Sequence, residues 1–334
     1  GSVARYLMSS RIYGVFKIRI LIVTPAKRGS LLGNSVTAGR WRELLIKLGH
    51  EVTVATRCLE GSFDLLIALH ARKSHRAVVQ FHQRHGGKPV IVAMTGTDLH
   101  CDLGRSDKVE QSLELADRIL LLEPKAGVKL ARKYQNKIRV IYQSADLVKP
   151  RPKPLTRWFE ITVIGHLRPV KDPFRTAYAA RDLPADSRIR VVQIGRALDR
   201  SMEQTARALA ERNPRYKFLG PLPHLETQRR LARSRVTVLS SKSEGGPAVL
   251  SEAIVNSVPV LASRIDATEG ILGKTYSGMF NVGDTRQLTK LLFRTEQERS
   301  FRQHLVESTR SMKPKLAFGF EVSAWKNLID EFGL

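Results

Sequence analysis

Short apolar runs of strand length, each followed by a turn and an amphipathic stretch, recur along this 334-residue chain and leave it few folds to choose from. KIRILIVT (Lys17 to Thr24), EVTVAT (Glu51 to Thr56), DLLIALH (Asp64 to His70), PVIVAM (Pro89 to Met94), RILLLE (Arg118 to Glu123) and KIRVIYQS (Lys137 to Ser144) read as buried strands. Between them VTAGRWRELLIKLG sets Val36, Trp41, Leu44, Leu45 and Leu48 near helical spacing, and helices are expected at Ser74 to His85, Val109 to Ala116 and Pro124 to Tyr134. The alternation restarts at FEITVI and runs through RIRVVQIG, YKFLG, VTVLS and PVLAS, with helices expected between them and a last one in FEVSAWKNLIDEF. Strands alternating with helices predict an α/β chain of two Rossmann-like, doubly wound parallel sheets. KPRPKPLTR, rich in proline and cations, is the expected linker over 149–157, which puts the domains at 17–148 and 158–315.

With 42% hydrophobic residues the chain can build two ordinary cores. No run approaches the roughly 20 apolar residues that span a bilayer, so no stable membrane insertion is expected. Only Cys58 and Cys101 are present, too few for a disulfide framework or a zinc cluster, and a cytoplasmic location is the expectation. Gly1-Ser2 resemble a cloning remnant and the segment to Phe16 carries no cleavage-site pattern, so fold reasoning starts at Lys17. Lys and Arg number 56 against 31 acidic residues, a net charge of +25, which implies anionic partners without specifying which. Nucleic acid is disfavoured, because the cations are spread along the chain and no zinc-finger, KH or RNP-like pattern occurs.

The chemistry concentrates in SEGGPAVLSEA, Ser243 to Ala253. An apolar run precedes it, Gly245, Gly246 and Pro247 form a loop, and a helix is expected from Pro247 at its first position. Two glycines let main-chain N–H groups approach an anion, which the positive end of the helix also favours. Glu244 then sits at the loop, and Glu252 about one and a half turns into the helix. An ordinary helix start with carboxylates complementing its dipole would look similar. A second candidate follows FEITVI, where Gly165 precedes His166, Arg168 and Lys171; a glycine turn with two cations three apart suits a diphosphate. The opening strand, loop and helix lack the G-x-G-x-x-G spacing, so a nicotinamide cofactor is disfavoured, and no D-x-D, H-E-x-x-H or cysteine pair suggests a metal.

SEGGPAVLSEA resembles the E-x7-E motif of retaining glycosyltransferases with the GT-B fold, and GHLRPVK resembles their G-R-L-x-x-x-K-G motif. The resemblance implies two domains facing across a cleft, with the closing helix, 316–334, returning to the first domain. It further implies that Glu244 faces the donor sugar, Gly245, Gly246 and Pro247 the phosphates and Glu252 the ribose, while Gly165, Arg168 and Lys171 hold the diphosphate and Leu222 borders the base. The chain departs from the pattern at His166, which follows the glycine where arginine is usual, and at Asp172, which replaces the final glycine. Glu244, Lys171, Arg168 and His166 are the expected catalytic set.

TPAKRGSLLGNSVTAGRW, DLLIALHARKS, VIVAMTGTDL, RVIYQSA and VIGHLRPVKDPFR narrow the likeness to the selenosugar synthases of selenoneine biosynthesis. That implies transfer of N-acetylglucosamine or glucose from UDP to the selenium of selenophosphate, with no cofactor. Selenophosphate is small and strongly anionic, so its site needs cations and N–H donors. Lys27, Arg28, Asn34, His70, Arg72, Lys73, Thr95, Thr97 and Asp98 emerge at strand ends of the first domain and are the expected acceptor residues. His100 joins His70 and His166 as a candidate for orienting the acceptor or assisting phosphate loss, although each also reads as a turn or surface residue. Asp98 reads equally well as a turn-forming cap. Two rivals stand beside this assignment: a GT-B transferase acting on a lipid or polysaccharide acceptor, and a nucleic-acid-binding protein on a degenerate transferase scaffold.

Overall fold

In the computed structural model, which describes residues 17–25, 33–96 and 98–334, the chain divides into two compact units. The first comprises the described residues up to Tyr142 together with Phe318–Leu334, and the second is Gln143–Ala317. The proline-rich stretch at 149–157 therefore lies inside the second unit. The chain just before it is fastened there by the Val148 N–H, which donates to Asn256 Oδ1 at 2.9 Å, and by Asn256 Nδ2, which donates to the Asp146 carbonyl at 3.1 Å.

The first unit is built on a six-stranded sheet of order β2-β1-β3-β4-β5-β6. Its strands are β1 (Arg19–Val23), β2 (Glu51–Ala55), β3 (Leu65–Leu69), β4 (Val90–Ala93), β5 (Arg118–Leu121) and β6 (Ile138–Val140). All neighbours pair in parallel. β1 lies inside the sheet and the chain winds outward from it on both sides, as parallel crossovers require. The central strands are apolar on both faces because both are covered; every residue of β3 is buried. One face meets α2 (His75–Arg84) and α3 (Asp107–Leu115) through Val78, Phe81, Val109 and Leu113. The other meets α1 (Gly33–Lys47) through Trp41, Leu44 and Leu45.

The second unit repeats the plan in a parallel sheet of order β12-β11-β10-β7-β8-β9. Its strands are β7 (Phe159–Ile164), β8 (Ile189–Ile194), β9 (Tyr216–Gly220), β10 (Val236–Leu239), β11 (Val260–Ser263) and β12 (Met279–Phe280). Helices α4 (Arg175–Arg181), α5 (Arg200–Arg212), α6 (His224–Arg233), α7 (Ala248–Val255), α8 (Asp266–Leu272), α9 (Thr285–Gln297) and α10 (Arg299–Ser308) connect and flank them.

The last helix, α11 (Phe318–Asp330), belongs to the first unit. Trp325 packs edge-on against Trp41 with ring centroids 4.9 Å apart, and both indoles are fully buried. Arg40 donates to the buried Glu321 at 2.6 Å, while Arg118 and Arg139 both grip Glu331.

One expected helix is absent. The stretch from Pro124 to Tyr134 forms two 3-10 segments, Lys125–Lys129 and Arg132–Lys137. The buried Glu123 carboxylate takes the N–H groups of Lys125 and Ala126 at 2.6 and 2.8 Å. Gln135 Nε2 then donates to the Gly127 and Leu130 carbonyls, which a continuing α-helix would have needed for itself. No helix among the described residues is long and apolar enough to cross a membrane.

Truncating the indole that α11 inserts tests how far that helix holds the first unit together. Trp325→Ala is expected to cost about 3–5 kcal/mol in urea denaturation followed by circular dichroism, and a cost below about 1 kcal/mol would contradict the packing described.

Candidate functional site

The ends of three neighbouring strands, β7, β8 and β9, run into Gly165, Gly195 and Gly220, all at positive φ. Gly195 has no room for a side chain: a Cβ there would lie 1.9 Å from the Gly165 carbonyl oxygen. Main-chain bonds close the layer, with the Gly165 N–H on the Ile194 carbonyl and the Gly195 N–H on the Gly220 carbonyl, each 2.9 Å. Beyond Gly165 the Leu167 N–H donates to the Arg196 carbonyl at 2.9 Å, and the Leu167 side chain is fully buried. His166 is therefore half-buried and Arg168 exposed on either side of a fixed residue.

A single 3-10 turn, Pro169–Lys171, then presents Lys171. Asp172 follows at φ 43°, in the left-handed region. Aspartate tolerates that conformation better than most residues, which accounts for its standing where the resembled pattern has glycine. Its carboxylate is held by Arg175 at 2.8 and 3.3 Å, and Arg175 also donates to Thr285 Oγ1 at 2.7 Å.

The loop after β10 is stitched to this turn. Ser240 Oγ donates to the Asp172 carbonyl at 2.8 Å and lies 3.2 Å from that of Lys171, and the Lys242 N–H donates to the Val170 carbonyl at 2.8 Å. The Lys171 ammonium makes an ion pair with Oε1 of Glu244, an oxygen that also accepts from Ser241 Oγ at 2.6 Å. The Glu244 side chain is 10% exposed and that of Lys171 29%, so the pair sits at the rim of the unit, partly shielded from water. Gly245 and Pro247 are buried and Gly246 half-buried. Pro247 takes the cap position in extended conformation, so α7 begins at Ala248, one residue later than expected. Glu252 lies on α7, half-buried. Leu222, half-buried, lies between β9 and α6. Beneath the glycine layer a cavity of about 10 Å³, lined by Gly165, His166, Lys171, Gln193, Ser240 and Ser241, has room for a single water at most.

The second unit thus joins Gly165, Lys171 and Glu244 through contacts between their loops. Ser240 and Ser241 belong with them and were not singled out from sequence. Their signal was available, as two hydroxyls directly after a strand that is otherwise apolar.

In the first unit the expected residues at the ends of β3 and β4 come together. His70 follows β3 at φ 72°, an unusual conformation for a residue other than glycine, and is 2% exposed. The Lys73 N–H lies 3.4 Å from His70 Nδ1, and that nitrogen is 3.9 Å from Asp98. Asp98 is fully buried, and its carboxylate accepts from the N–H groups of Ala71, Thr95 and Gly96 at 2.9, 3.2 and 3.0 Å. It shapes the loop and is shielded from solvent. The turn after β4 is a π-helical segment, Asp98–Asp102, whose Asp102 pairs with Arg72 at 2.8 Å. Lys73 is exposed, and the Thr95 hydroxyl is buried without a hydrogen-bond partner. Asn34, half-buried in the first turn of α1, is on a separate element. Lys27, Arg28 and Thr97 lie outside the described residues, as does the side chain of His100. Among the described residues no group of three or more His, Cys, Asp or Glu could hold a metal ion.

Burial holds the His70 imidazole below its ordinary 6.5, only partly offset by Asp98. His50 and His75 are lowered for the same first reason.

Set beside known proteins, residues 148–312 match the family model of glycosyl transferases group 1. No curated protein sequence matches the chain. Among solved structures, sucrose-phosphate synthase from Thermosynechococcus elongatus aligns with TM-score 0.76 at 16% identity, over 94% of this chain and 99% of that one. Anabaena HepE in complex with UDP and glucose aligns with TM-score 0.70 at 16% identity, over 94% and 100%. The lipopolysaccharide outer core galactosyltransferase WaaB aligns with TM-score 0.67 at 13% identity, over 94% and 99%.

Two outcomes are expected. Gly195→Ala should cost at least about 1–3 kcal/mol of stability in urea denaturation, and unchanged stability would contradict the packed glycine layer. For the histidines, a folded-state value below the unfolded one means that the unfolded chain takes up the proton first. Stability is then full above about pH 6.5 and falls as pH drops through it. The thermal midpoint should decline between about pH 7.5 and pH 5.5, and less steeply in His70→Asn, which suits the left-handed backbone; equal slopes would exclude His70 as a contributor.

By its two parallel-sheet Rossmann-like units and its structural matches, the chain has the GT-B glycosyltransferase fold, and its second unit carries the match to the group 1 glycosyl transferase model over residues 148–312.

Proposed function

We propose that the chain transfers N-acetylglucosamine or glucose from a UDP-sugar to the selenium of selenophosphate. The observation that carries the donor half is the contact between Lys171 and Glu244, which couples a cation suited to a diphosphate to a carboxylate suited to a sugar at one edge of the second sheet. Gly245 and Gly246 supply N–H groups and Arg168 charge for the phosphates, Gly165 and Pro247 border them, Glu252 accepts from the ribose hydroxyls, and Leu222 borders the base. The HepE structures, determined with UDP, UDP-glucose or UDP and glucose, lend this donor class support by analogy of fold.

For the acceptor, Arg72 and Lys73 at the end of β3 provide positive charge beside the His70 and Thr95 side chains, and Lys27, Arg28, Asn34 and Thr97 complete the proposed set. An ionised selenophosphate needs no strong base: selenium attacks the anomeric carbon, the bond from that carbon to the diphosphate oxygen breaks, and UDP leaves with its new charge opposed by Lys171 and Arg168. Water then cleaves the phosphorus–selenium bond, releasing phosphate and leaving the carbon–selenium bond intact. His166 and His70 are the candidates for orienting these steps. We place the protein in the cytoplasm, a compartment that suits its two unpaired cysteines.

Incubation with UDP-N-acetylglucosamine or UDP-glucose is expected to release UDP and yield a selenium-bearing sugar by mass only when selenophosphate is present. UDP release stimulated instead by a lipid or polysaccharide acceptor would overturn the selenium assignment. Replacing both Arg72 and Lys73 by Ala should raise the KM for selenophosphate at least about tenfold, roughly 1.4 kcal/mol of lost binding, with UDP affinity retained; an unaltered KM would remove these residues from the acceptor site.

A further inference from the structure

The hydroxyl of Ser241 has no part in the donor contacts proposed above, yet it is among the most constrained groups in the second unit. Ser241 is 1% exposed, and its Oγ donates to Glu244 Oε1 at 2.6 Å, the same oxygen that pairs with the Lys171 ammonium. Its main chain is held from behind. Ser263 Oγ, at the end of β11, donates to the Ser241 carbonyl at 2.5 Å, and Thr268 Oγ1, in the first turn of α8, donates to the Ser263 carbonyl at 2.6 Å. Ser263 and Thr268 are fully buried. The neighbouring Ser240 serves a different purpose, since its hydroxyl faces the carbonyls of the Lys171 turn and fastens the loop.

One carboxylate oxygen with two donors is a competition. A diphosphate carries more negative charge than a carboxylate and offers several acceptor oxygens, so it draws the ammonium toward itself. The carboxylate oxygen then loses the ammonium. A hydroxyl fixed by the fold still holds it in place, because its hydrogen bond does not depend on where the ammonium has gone.

We propose that Ser241 is a positioning residue that keeps the Glu244 carboxylate aimed when a nucleotide diphosphate draws Lys171 off their shared oxygen. This deepens the donor-site assignment and rests on it. Ser241 touches no substrate in this scheme; it acts through Glu244.

The test is titration calorimetry with UDP and with UDP-glucose or UDP-N-acetylglucosamine, whichever the wild type binds, since the donor-site assignment sets the sugar against Glu244. Ser241→Ala is expected to bind UDP within about twofold of the wild-type affinity while weakening the UDP-sugar at least about tenfold. Ser241→Thr, which retains a hydroxyl, should restore UDP-sugar binding toward the wild-type value. UDP-sugar affinity unchanged in Ser241→Ala would overturn the proposal and leave the donor site standing. Parallel loss of UDP and UDP-sugar binding in Ser241→Ala would assign Ser241 a purely structural role and overturn it too. If wild-type protein binds neither UDP nor a UDP-sugar, the donor-site assignment itself falls, and this inference with it.

Discussion

One carboxylate oxygen, Oε1 of Glu244, ties together two loops that are distant in sequence. Lys171 approaches it from the turn after β7 and Ser241 from the end of β10. Exposed ion pairs contribute little, whereas a pair whose partners are partly withdrawn from water leaves a costly uncompensated charge when one is removed. At 10% exposure Glu244 stands toward the second case. The surrounding main-chain bonds, from Ser240 and Lys242 to the turn at Val170, Lys171 and Asp172, keep the two loops at the spacing the pair needs. The two loops are therefore already ordered without a ligand, which is what a preorganised site requires.

The same economy shows in the glycine layer. Gly165 and Gly195 cross so closely that a methyl group at the second would overlap the carbonyl of the first. Small residues here bring main-chain groups of adjacent strand ends to the edge where parallel sheets bind ligands. The first unit reaches a comparable edge by other means. Asp98 gathers three N–H groups onto one buried carboxylate, and His70 takes a left-handed conformation beside it. Strained backbone of this kind persists only where neighbours hold it, and here Ser74, whose hydroxyl donates to the Leu69 carbonyl at 2.6 Å, helps to do so.

Much of the architecture was legible because parallel strands buried on both faces are nearly continuous apolar runs. LLIAL and VIVA announced themselves without any alternation to interpret, while FEITVI and VTVL carry Glu160, Thr162 and Thr237, buried with hydrogen-bond partners. Pro124 to Tyr134 misled because of its two flanking side chains. Its composition suits a helix, but Glu123 and Gln135 offer the backbone competing hydrogen bonds. The proline-rich stretch at 149–157 likewise reads as a linker, while Asn256, from another element, binds the chain just before it into the second unit.

Within the candidate site, residue type and spacing singled out Lys171 and Glu244, although a glycine loop before an N-terminal proline is also an ordinary helix start. Spacing could not reveal that the two share an oxygen, because that depends on β10 lying next to β7 in the sheet. Nor could it show that Asp98 is fully buried. The most direct measurement of the account is a crystal structure of the protein with UDP. The account predicts the diphosphate between Gly165, Lys171 and the loop at Gly245, with the ribose at Glu252. UDP bound elsewhere, or no UDP with Lys171 still on Glu244, would contradict it.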